Sequence, residues 1–334
     1  MNNSTDATLQ QDGCNDNGEE TLRITRMIVY ISVSLASYFG NILILVSLRK
    51  FPDFLKGTPY ILLGNLAVAD ILLAIGLTFQ IIRIIFHPFD GEMFVCAINT
   101  CCIGISIATS GLLLMFISVD RFCAIVFPMK HLIHSTKVKC RRIKLVLVWV
   151  ISVTFIFTMR LSNLKRSEIS TCDQCETTPK EVSLIAAVFM TLQFIMNIVM
   201  CLIVKQRLKS NSMSNQKYQK AMVKCGLLIR VYIVFALCWT PYVVTVIAMA
   251  ASKDKDKYAD VRSYTIIPGL MNSSMNWIIY GLSNKKLRDS FKHVLLCKNQ
   301  RQMLSSKYIK TKVSEKMEND NYSAAIPSYE DSIT

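Results

Sequence analysis

Long apolar segments alternate with short charged segments along most of the chain. Two of the apolar segments are weaker, since residues 59–82 contain one acid, Asp70, and residues 145–159 are short. The others contain no Asp, Glu, Lys, Arg or His, and they are residues 27–48, 97–119, 182–204, 231–252 and 263–284. A helix needs about 20 apolar residues to cross the hydrocarbon core of a bilayer. The pattern therefore predicts an all-α membrane protein, a seven-transmembrane helix bundle.

The charge of the connecting segments predicts the orientation of the chain. A formal charge of +17 lies on residues 49–57, 127–142, 205–224 and 284–334. A formal charge of −5 lies on residues 1–26, 85–92, 162–181 and 251–262. Basic residues are retained in the cytoplasm, so the N-terminus is expected outside and the C-terminus inside. The net charge of +15 then reflects contact with anionic membrane lipid, and it does not indicate nucleic-acid binding.

Four of the twelve cysteines lie in segments that face an oxidising compartment, where disulfides persist. A disulfide between Cys96 and the loop before the fifth helix would hold that loop over the bundle. Cys172 is favoured over Cys175 as its partner, because Cys172 leaves more chain before the fifth helix begins. The remaining loop cysteine is then available to Cys14. A metal or redox role for Cys172-x-x-Cys175 is disfavoured, because no second pair accompanies it.

Polar residues inside the apolar segments are candidates for function, because an unpartnered polar group in lipid costs several kcal/mol. Asp70 is the lone acid of the second segment. The polar residues of the third and seventh segments are Ser106, Ser110, Asn272, Ser273, Ser274 and Asn276. Together with Trp239 they are expected to form one buried pocket that holds a small cation such as sodium. The alternative is that Asp70 only joins helices through hydrogen bonds.

Short motifs follow one another in order along these segments. They are Gly40-Asn41, Asn65-Leu66-Ala67-Val68-Ala69-Asp70, Cys96, Asp120-Arg121-Phe122, Trp149, Phe235-Ala236-Leu237-Cys238-Trp239-Thr240-Pro241 and Asn276-Trp277-Ile278-Ile279-Tyr280. In type, order and spacing they resemble those of the rhodopsin-like (class A) G-protein-coupled receptors, over residues 27 to about 297. Lys285 to Leu296 resembles the short amphipathic eighth helix of that family.

The resemblance implies a cell-surface receptor that couples an extracellular ligand to a heterotrimeric G protein. It assigns the activation switch to Asp120, Arg121, Trp239, Pro241, Asn276 and Tyr280. Pro241 would kink the sixth helix, whose cytoplasmic half swings outward on activation. Arg121 would then be released from Asp120 to contact the G protein, with support from Tyr280.

The resemblance also divides the chain into four parts. These are an extracellular segment (1–26), the bundle (27–283), an amphipathic helix (284–297) and a disordered cytoplasmic tail (298–334). Asn2 and Asn3 head overlapping glycosylation sequons in the first part. Cys297 is a candidate for palmitoylation beside membrane lipid. Phosphorylation of serines and threonines in the tail would recruit an arrestin-like protein.

Several departures mark the chain as a divergent, orphan-like member of the family. The fifth helix has neither the proline nor the inner tyrosine usual in the family. Trp277 replaces the usual proline after Asn276. Ala221 and Lys224 stand where many relatives have an acid that restrains Arg121. We therefore expect some signalling without ligand.

The ligand is constrained by two positions. Ile103 stands where amine receptors have an aspartate, so an amine bound in that way is not expected. Leu270 stands where opsins have the lysine that holds retinal. The expected pocket is lined by Gln80, Arg83, Asn99, Ile103, Ser106, Tyr242, Val246, Ile266 and Leu270, and it suits a small molecule, a lipid or a short peptide. Arg83 either pairs with an anionic ligand or extends to the headgroups.

Other functions fit the sequence less well. One alternative is a seven-helix protein that does not signal or that signals constitutively. A transporter is less favoured, because no internal repeat or paired helix-breaking segments occur. No enzyme activity is expected, because the four histidines lie outside the apolar segments and form no cluster with acids.

Overall fold

The computed structural model describes residues 16–55, 57–86, 93–127, 138–164, 180–210, 216–252 and 257–297. These residues form eight helices joined by short connections. They are α1 (Asp16–Lys50), α2 (Thr58–Ile85), α3 (Met93–Val126), α4 (Val138–Leu164), α5 (Lys180–Ser210), α6 (Gln216–Ala251), α7 (Lys257–Ser283) and α8 (Lys285–Leu295). The first seven correspond to the seven predicted spans, and each begins before the apolar segment that predicts it.

The first seven helices form a closed bundle. α1 packs against α2 and α7, α6 packs between α5 and α7, and α3 contacts α2, α4, α5 and α6. In the described part of the chain, α4 and α5 each pack on α3 and hardly touch one another. This central position of α3 brings its polar residues close to those of several other helices.

Six of the described helices are long and apolar enough to cross a membrane, and α7 falls short of that level. Four polar residues close together in the chain lower the hydropathy of α7. They are Asn272, Ser273, Ser274 and Asn276, and all four are buried. Because the bundle covers these side chains, α7 crosses the membrane without exposing them to lipid. The prediction of a seven-helix membrane bundle is confirmed.

Large apolar side chains lie on the outer face of the bundle as well as in its interior. Leu237 of α6 is 70% exposed and Val146 of α4 is 60% exposed, whereas Leu66, Leu113 and Ile44 are fully buried. In water this exposed surface would be unfavourable, but hydrocarbon solvates it. The arrangement is the one expected of helices surrounded by lipid.

α8 begins at a well-formed cap. The side chain of Asn284 accepts hydrogen bonds from the backbone N–H groups of Lys286 and Leu287, at 3.1 and 3.3 Å. The apolar side of the helix buries Leu287 and Phe291 against the bundle, where α8 contacts α1 and α7. The predicted amphipathic helix is therefore present directly after α7.

Replacing Asn284 with alanine is expected to destabilise α8 by about 1 kcal/mol, because two backbone donors lose their acceptor. Asn284 Nδ2 also donates to the Tyr60 hydroxyl at 3.3 Å, so contact with the start of α2 is lost as well. Hydrogen exchange of residues 285–295 in the purified protein measures the effect. Asn284→Asp keeps the capping oxygen and serves as the control; equal exchange in both variants would contradict the capping role.

Candidate functional site

A buried polar network lies at the centre of the bundle, around Asp70 of α2. Asp70 is fully buried. Its Oδ2 accepts a hydrogen bond from Asn276 Nδ2 of α7 at 3.0 Å, and its backbone oxygen accepts one from Ser37 Oγ of α1 at 3.0 Å. Ser110 of α3 and Ser273 of α7 lie beside the carboxyl group. Asp70 thus lies where four helices meet.

Asn41 extends this network along α1. Its Nδ2 donates to the backbone oxygen of Ser37 at 2.9 Å and to that of Ser273 at 3.4 Å. Asn41 is fully buried. The Gly40-Asn41 pair therefore joins α1 directly to the polar turn of α7.

Several oxygen atoms in the network have no hydrogen-bond donor among the described residues. They are Asp70 Oδ1, Asn276 Oδ1 and Ser110 Oγ. A carboxylate, an amide and a hydroxyl oxygen are the ligands preferred by a hard cation. The oxygen atoms around Asp70 are therefore chemically suited to be ligands of a small cation. Asn272 is also buried on α7, next to Ser273.

Trp239 lies on α6 among other buried aromatic residues. It is 3% exposed, and its ring meets Phe235 at a centroid distance of 6.2 Å and Tyr242 at 6.0 Å. Gly269 of α7 makes room for the ring, since a Cβ at this position would lie 2.7 Å from Trp239 Cε3. The indole is thus held between α6 and α7.

Pro241 follows Trp239 by two residues and lies inside the continuous helix α6. A proline removes one backbone N–H from the helical hydrogen-bond pattern and weakens the helix at that point. Trp239 is therefore adjacent to the position where α6 bends most easily.

The switch residues that are predicted at the cytoplasmic end of the bundle are only partly described. Asp120 is half-buried near the end of α3, and Tyr280 of α7 is 7% exposed. Arg121 lies on α3, and its side chain is outside the described residues, as are those of Ala221 and Lys224 on α6.

A cavity of about 420 Å³ lies in the half of the bundle that is predicted to face outward. Six of the nine residues predicted for the ligand pocket line it, and they are Gln80, Asn99, Ile103, Tyr242, Ile266 and Leu270. Trp239 and Phe235 line it as well. The cavity and the bending point of α6 are therefore in direct contact.

The other three predicted pocket residues do not line the cavity. Ser106 donates to the backbone oxygen of Ala69 at 2.6 Å, and Val246 is packed in the apolar core. Arg83 is 6% exposed, so it does not extend to the headgroups. Its Nη1 donates to Gln80 Oε1 at 3.2 Å, so it supports a lining residue from behind.

The cavity extends further towards α4 and α5 than the sequence predicts. The additional lining residues from these helices are Ile151, Ser152, Phe155, Ile156, Met159, Ile185, Ala186, Phe189, Met190 and Gln193. Gln193 Nε2 donates to the backbone oxygen of Gly111 at 2.8 Å. Arg26 of α1 and Arg262 of α7 also line the cavity. Both arginines lie in segments that the sequence predicts outside the membrane. The sequence contains no other sign that they line a cavity.

Other predicted sites lie outside the described residues. These are the sequons at Asn2 and Asn3, and Cys172 and Cys175 of the proposed disulfide. Cys96 lies on α3, but its side chain is not described. Cys297, the predicted palmitoylation site, is exposed just after α8.

Comparison with known proteins agrees with this architecture. The family model described as 7 transmembrane receptor (rhodopsin family) matches residues 40–280. Somatostatin receptor type 5 of Rattus norvegicus is 25% identical over 284 residues, which are 80% of this chain and 77% of that receptor. Somatostatin receptor type 1 of Mus musculus is 26% identical over 282 residues, or 80% of this chain and 70% of that receptor.

The histamine H2 receptor of Homo sapiens is 25% identical over 296 residues, which are 83% of this chain and 80% of that receptor. The family match covers well over half of the chain and includes Asp70, Asn276, Trp239 and most of the residues that line the cavity. The chain therefore belongs to the rhodopsin family of seven-transmembrane, G-protein-coupled receptors.

Proposed function

We propose that this receptor lies in the plasma membrane with its N-terminus outside, binds its ligand in the outer cavity and signals by movement of α6. The observation that carries the proposal is the position of Trp239. Its ring lines the cavity and lies two residues from Pro241. A ligand that touches this ring acts directly on the weakest point of α6.

A ligand activates the receptor only if it binds the active conformation more tightly than the inactive one. The Trp239 ring is packed against Phe235, Tyr242 and the backbone of Gly269. A ligand that moves the ring must therefore also move α6 relative to α7. This coupling connects the outer cavity to the cytoplasmic ends of these helices, where the G protein binds.

Arg121 is proposed to contact the G protein, and its removal tests the signalling function. In cells that express Arg121→Ala, cyclic-AMP and calcium responses are expected to fall to the level of empty-vector cells. The intact receptor is expected to signal above that level even without ligand, because Ala221 and Lys224 provide no acid to restrain Arg121. A panel of amines, nucleosides, lipids and short peptides then identifies the activating class.

Surface labelling of both receptors controls for expression in this experiment. Arg49→Gln, at the cytoplasmic end of α1, is the matched control for loss of a positive charge. A response that persists in Arg121→Ala at equal surface level would contradict the proposed switch.

We further propose that a sodium ion binds at Asp70 as an allosteric modulator. Asp70, Ser110, Ser273 and Asn276 would hold the ion, with Asn272 beside them. The support is the group of oxygens around Asp70 that lack a hydrogen-bond donor. An ion bound between α2, α3 and α7 would favour the conformation in which these helices stay together.

Sodium is expected to raise the thermal midpoint of the purified receptor by about 4 °C at ten times its Kd, relative to choline chloride of equal concentration. Asp70→Asn is expected to abolish the difference between the two salts, because the anionic ligand is lost. Ser47→Ala removes another buried hydroxyl, on α1, and should leave the difference intact. An unchanged sodium effect in Asp70→Asn would exclude this site.

The cytoplasmic tail is proposed to regulate signalling. Its serines and threonines, including Ser305, Ser306 and Thr311, would bind an arrestin-like protein once phosphorylated. A palmitoyl chain on Cys297 would anchor α8 to membrane lipid, and the exposed position of this cysteine supports that role.

A further inference from the structure

One side chain of α5 reaches across to α3. Gln193 is 3% exposed, and its Nε2 donates to the backbone oxygen of Gly111 at 2.8 Å. Thr191 and Asn197 also donate hydrogen bonds, but each bonds to the backbone of α5 itself. Among the α5 residues whose side chains the structure describes, Gln193 therefore makes the one hydrogen bond that joins this helix to another.

Gly111 has no side chain, and this permits the close approach of the amide. A Cβ at position 111 would lie 3.3 Å from Gln193 Oε1. That distance is shorter than an ordinary van der Waals contact, so a methyl group there would press on the amide and displace it. The hydrogen bond between α3 and α5 therefore depends on both residues, the donor on one helix and the glycine on the other.

Few other contacts fix the position of α5. In the described part of the chain α5 hardly touches α4, and it packs mainly on α6 and α3. Phe194, the residue after Gln193, meets Phe235 of α6 at a centroid distance of 5.5 Å, and Phe235 meets Trp239 at 6.2 Å. Adjacent residues of α5 thus attach it to α3 through a hydrogen bond and to α6 through aromatic rings.

A movement of α6 acts on these two attachments differently. α5 packs more extensively on α6 than on α3, so α5 is expected to follow α6 when α6 bends at Pro241. The hydrogen bond from Gln193 opposes this displacement, because such a bond weakens steeply as its distance and angle depart from ideal values. Gln193 and Gly111 both line the cavity, so the bond lies at the wall of the proposed ligand site.

We propose that Gln193 is a positioning residue that holds α5 against α3 in the inactive receptor and releases it when α6 moves. Loss of its hydrogen bond to Gly111 therefore favours the active conformation. This inference rests on the proposed movement of α6. It does not depend on the identity of the ligand, because the bond restrains the helices before any ligand binds.

Removal of the donor tests the proposal in cells. Gln193→Leu keeps a side chain of similar size, and it should raise ligand-independent signalling per receptor at the surface by about threefold, the shift in a two-state ratio expected from one interhelical hydrogen bond in a membrane. Thr191→Val is the matched control, since it removes a hydrogen bond that lies within α5, and it should leave this signalling unchanged. Unchanged or lower signalling by Gln193→Leu at equal surface level would overturn the proposal.

Gly111→Ala tests the same contact from α3. Its new methyl group displaces the amide, so ligand-independent signalling should rise, although by less than in Gln193→Leu. In a receptor that already has Gln193→Ala, no amide remains to be displaced, and Gly111→Ala should add nothing further. An equal effect of Gly111→Ala in both backgrounds would show that the hydrogen bond is not the cause and would contradict the proposal.

A distance measurement without G protein separates this inference from the proposed function. Val119 of α3 and Leu202 of α5 are 36% and 54% exposed, and both lie towards the ends of their helices that are predicted in the cytoplasm. Each is replaced by p-acetylphenylalanine, which takes a nitroxide label without reaction at the native cysteines, and pulsed electron paramagnetic resonance of the full chain in nanodiscs measures the distance between the labels.

The population at the longer distance should rise about threefold in Gln193→Leu and should not change in Thr191→Val. A longer distance in Gln193→Leu, with no signalling by any variant, would support the role of Gln193 and contradict the signalling mechanism. Equal signalling by all variants, with an unchanged distance, would contradict the role of Gln193 and leave the signalling mechanism intact.

Discussion

Replacing Gly40 with valine is expected to remove the folded receptor from the cell surface. Gly40 of α1 lies against the indole of Trp277 of α7, and a Cβ at this position would overlap the ring at Trp277 Cδ1 and Cγ. The two backbones cannot separate easily, because the adjacent Asn41 is bonded to α7 through the backbone oxygen of Ser273. Overpacking a tight contact usually lowers the free energy of unfolding by about 1–3 kcal/mol. Because the indole is rigid, we expect a loss of about 3 kcal/mol, at the upper end of this range.

Surface labelling and the thermal midpoint in detergent measure the effect, which should be a fall of roughly 6–12 °C. Trp277→Leu is expected to restore much of the loss when it is combined with Gly40→Val, because the smaller side chain makes room. Gly64→Ala is the matched control on α2, since a Cβ there lies 3.1 Å from the mobile end of Leu48. Additive effects of the Gly40 and Trp277 substitutions would show that their contact does not cause the loss.

This contact also explains the most unusual departure of the seventh helix. Trp277 stands where the resemblance leads one to expect proline, and it packs on Gly40 and meets Phe39 edge-on at a centroid distance of 5.5 Å. The indole of Trp277 occupies the space that a side chain at position 40 would need. Pro268 is the only proline of α7 and lies nine residues before Trp277.

Replacing Asn276 with leucine is expected to have the second large effect. Asp70 Oδ2 would lose its hydrogen-bond donor at 3.0 Å while remaining fully buried. A buried polar group without its partner costs about 1–3 kcal/mol, and more if it is charged. We expect the thermal midpoint to fall by roughly 4–8 °C and ligand-driven signalling to be lost.

The double substitution Asp70→Leu with Asn276→Leu distinguishes this explanation from poor packing of the new leucine. When both polar partners are replaced by apolar groups of similar size, the unsatisfied group disappears. The double variant should therefore be more stable than Asn276→Leu alone, although it should not respond to sodium. A double variant less stable than the single one would contradict the hydrogen-bond explanation.

The helices and their order could be predicted from the sequence, because the bilayer imposes strong local rules. Every backbone group must be satisfied within lipid, so an apolar segment of sufficient length becomes a helix whatever surrounds it. The polar residues of α7 weaken this signal, yet the segment without charge was long enough to identify it. The network residues Asp70, Ser110, Ser273 and Asn276 were also predictable, since polar side chains in spans must face inward.

It was much harder to predict which face of each helix is buried in the bundle. Lipid is as apolar as the core, so hydrophobicity does not distinguish the buried side of a transmembrane helix from the exposed side. For this reason Val246 and Ser106 were predicted in the ligand pocket but pack away from it. The same ambiguity concealed the extension of the cavity along α4 and α5, whose apolar residues look alike on every side.

The sequence by itself determined the number of spanning helices and the residues that match the receptor family. These properties depend on local composition and on the rules of membrane insertion. Only the tertiary structure decided that Arg26 and Arg262, rather than Arg83, face the cavity, and that Trp277 packs on Gly40. Such pairings depend on the rotation and separation of helices, which are set by contacts between residues far apart in the chain.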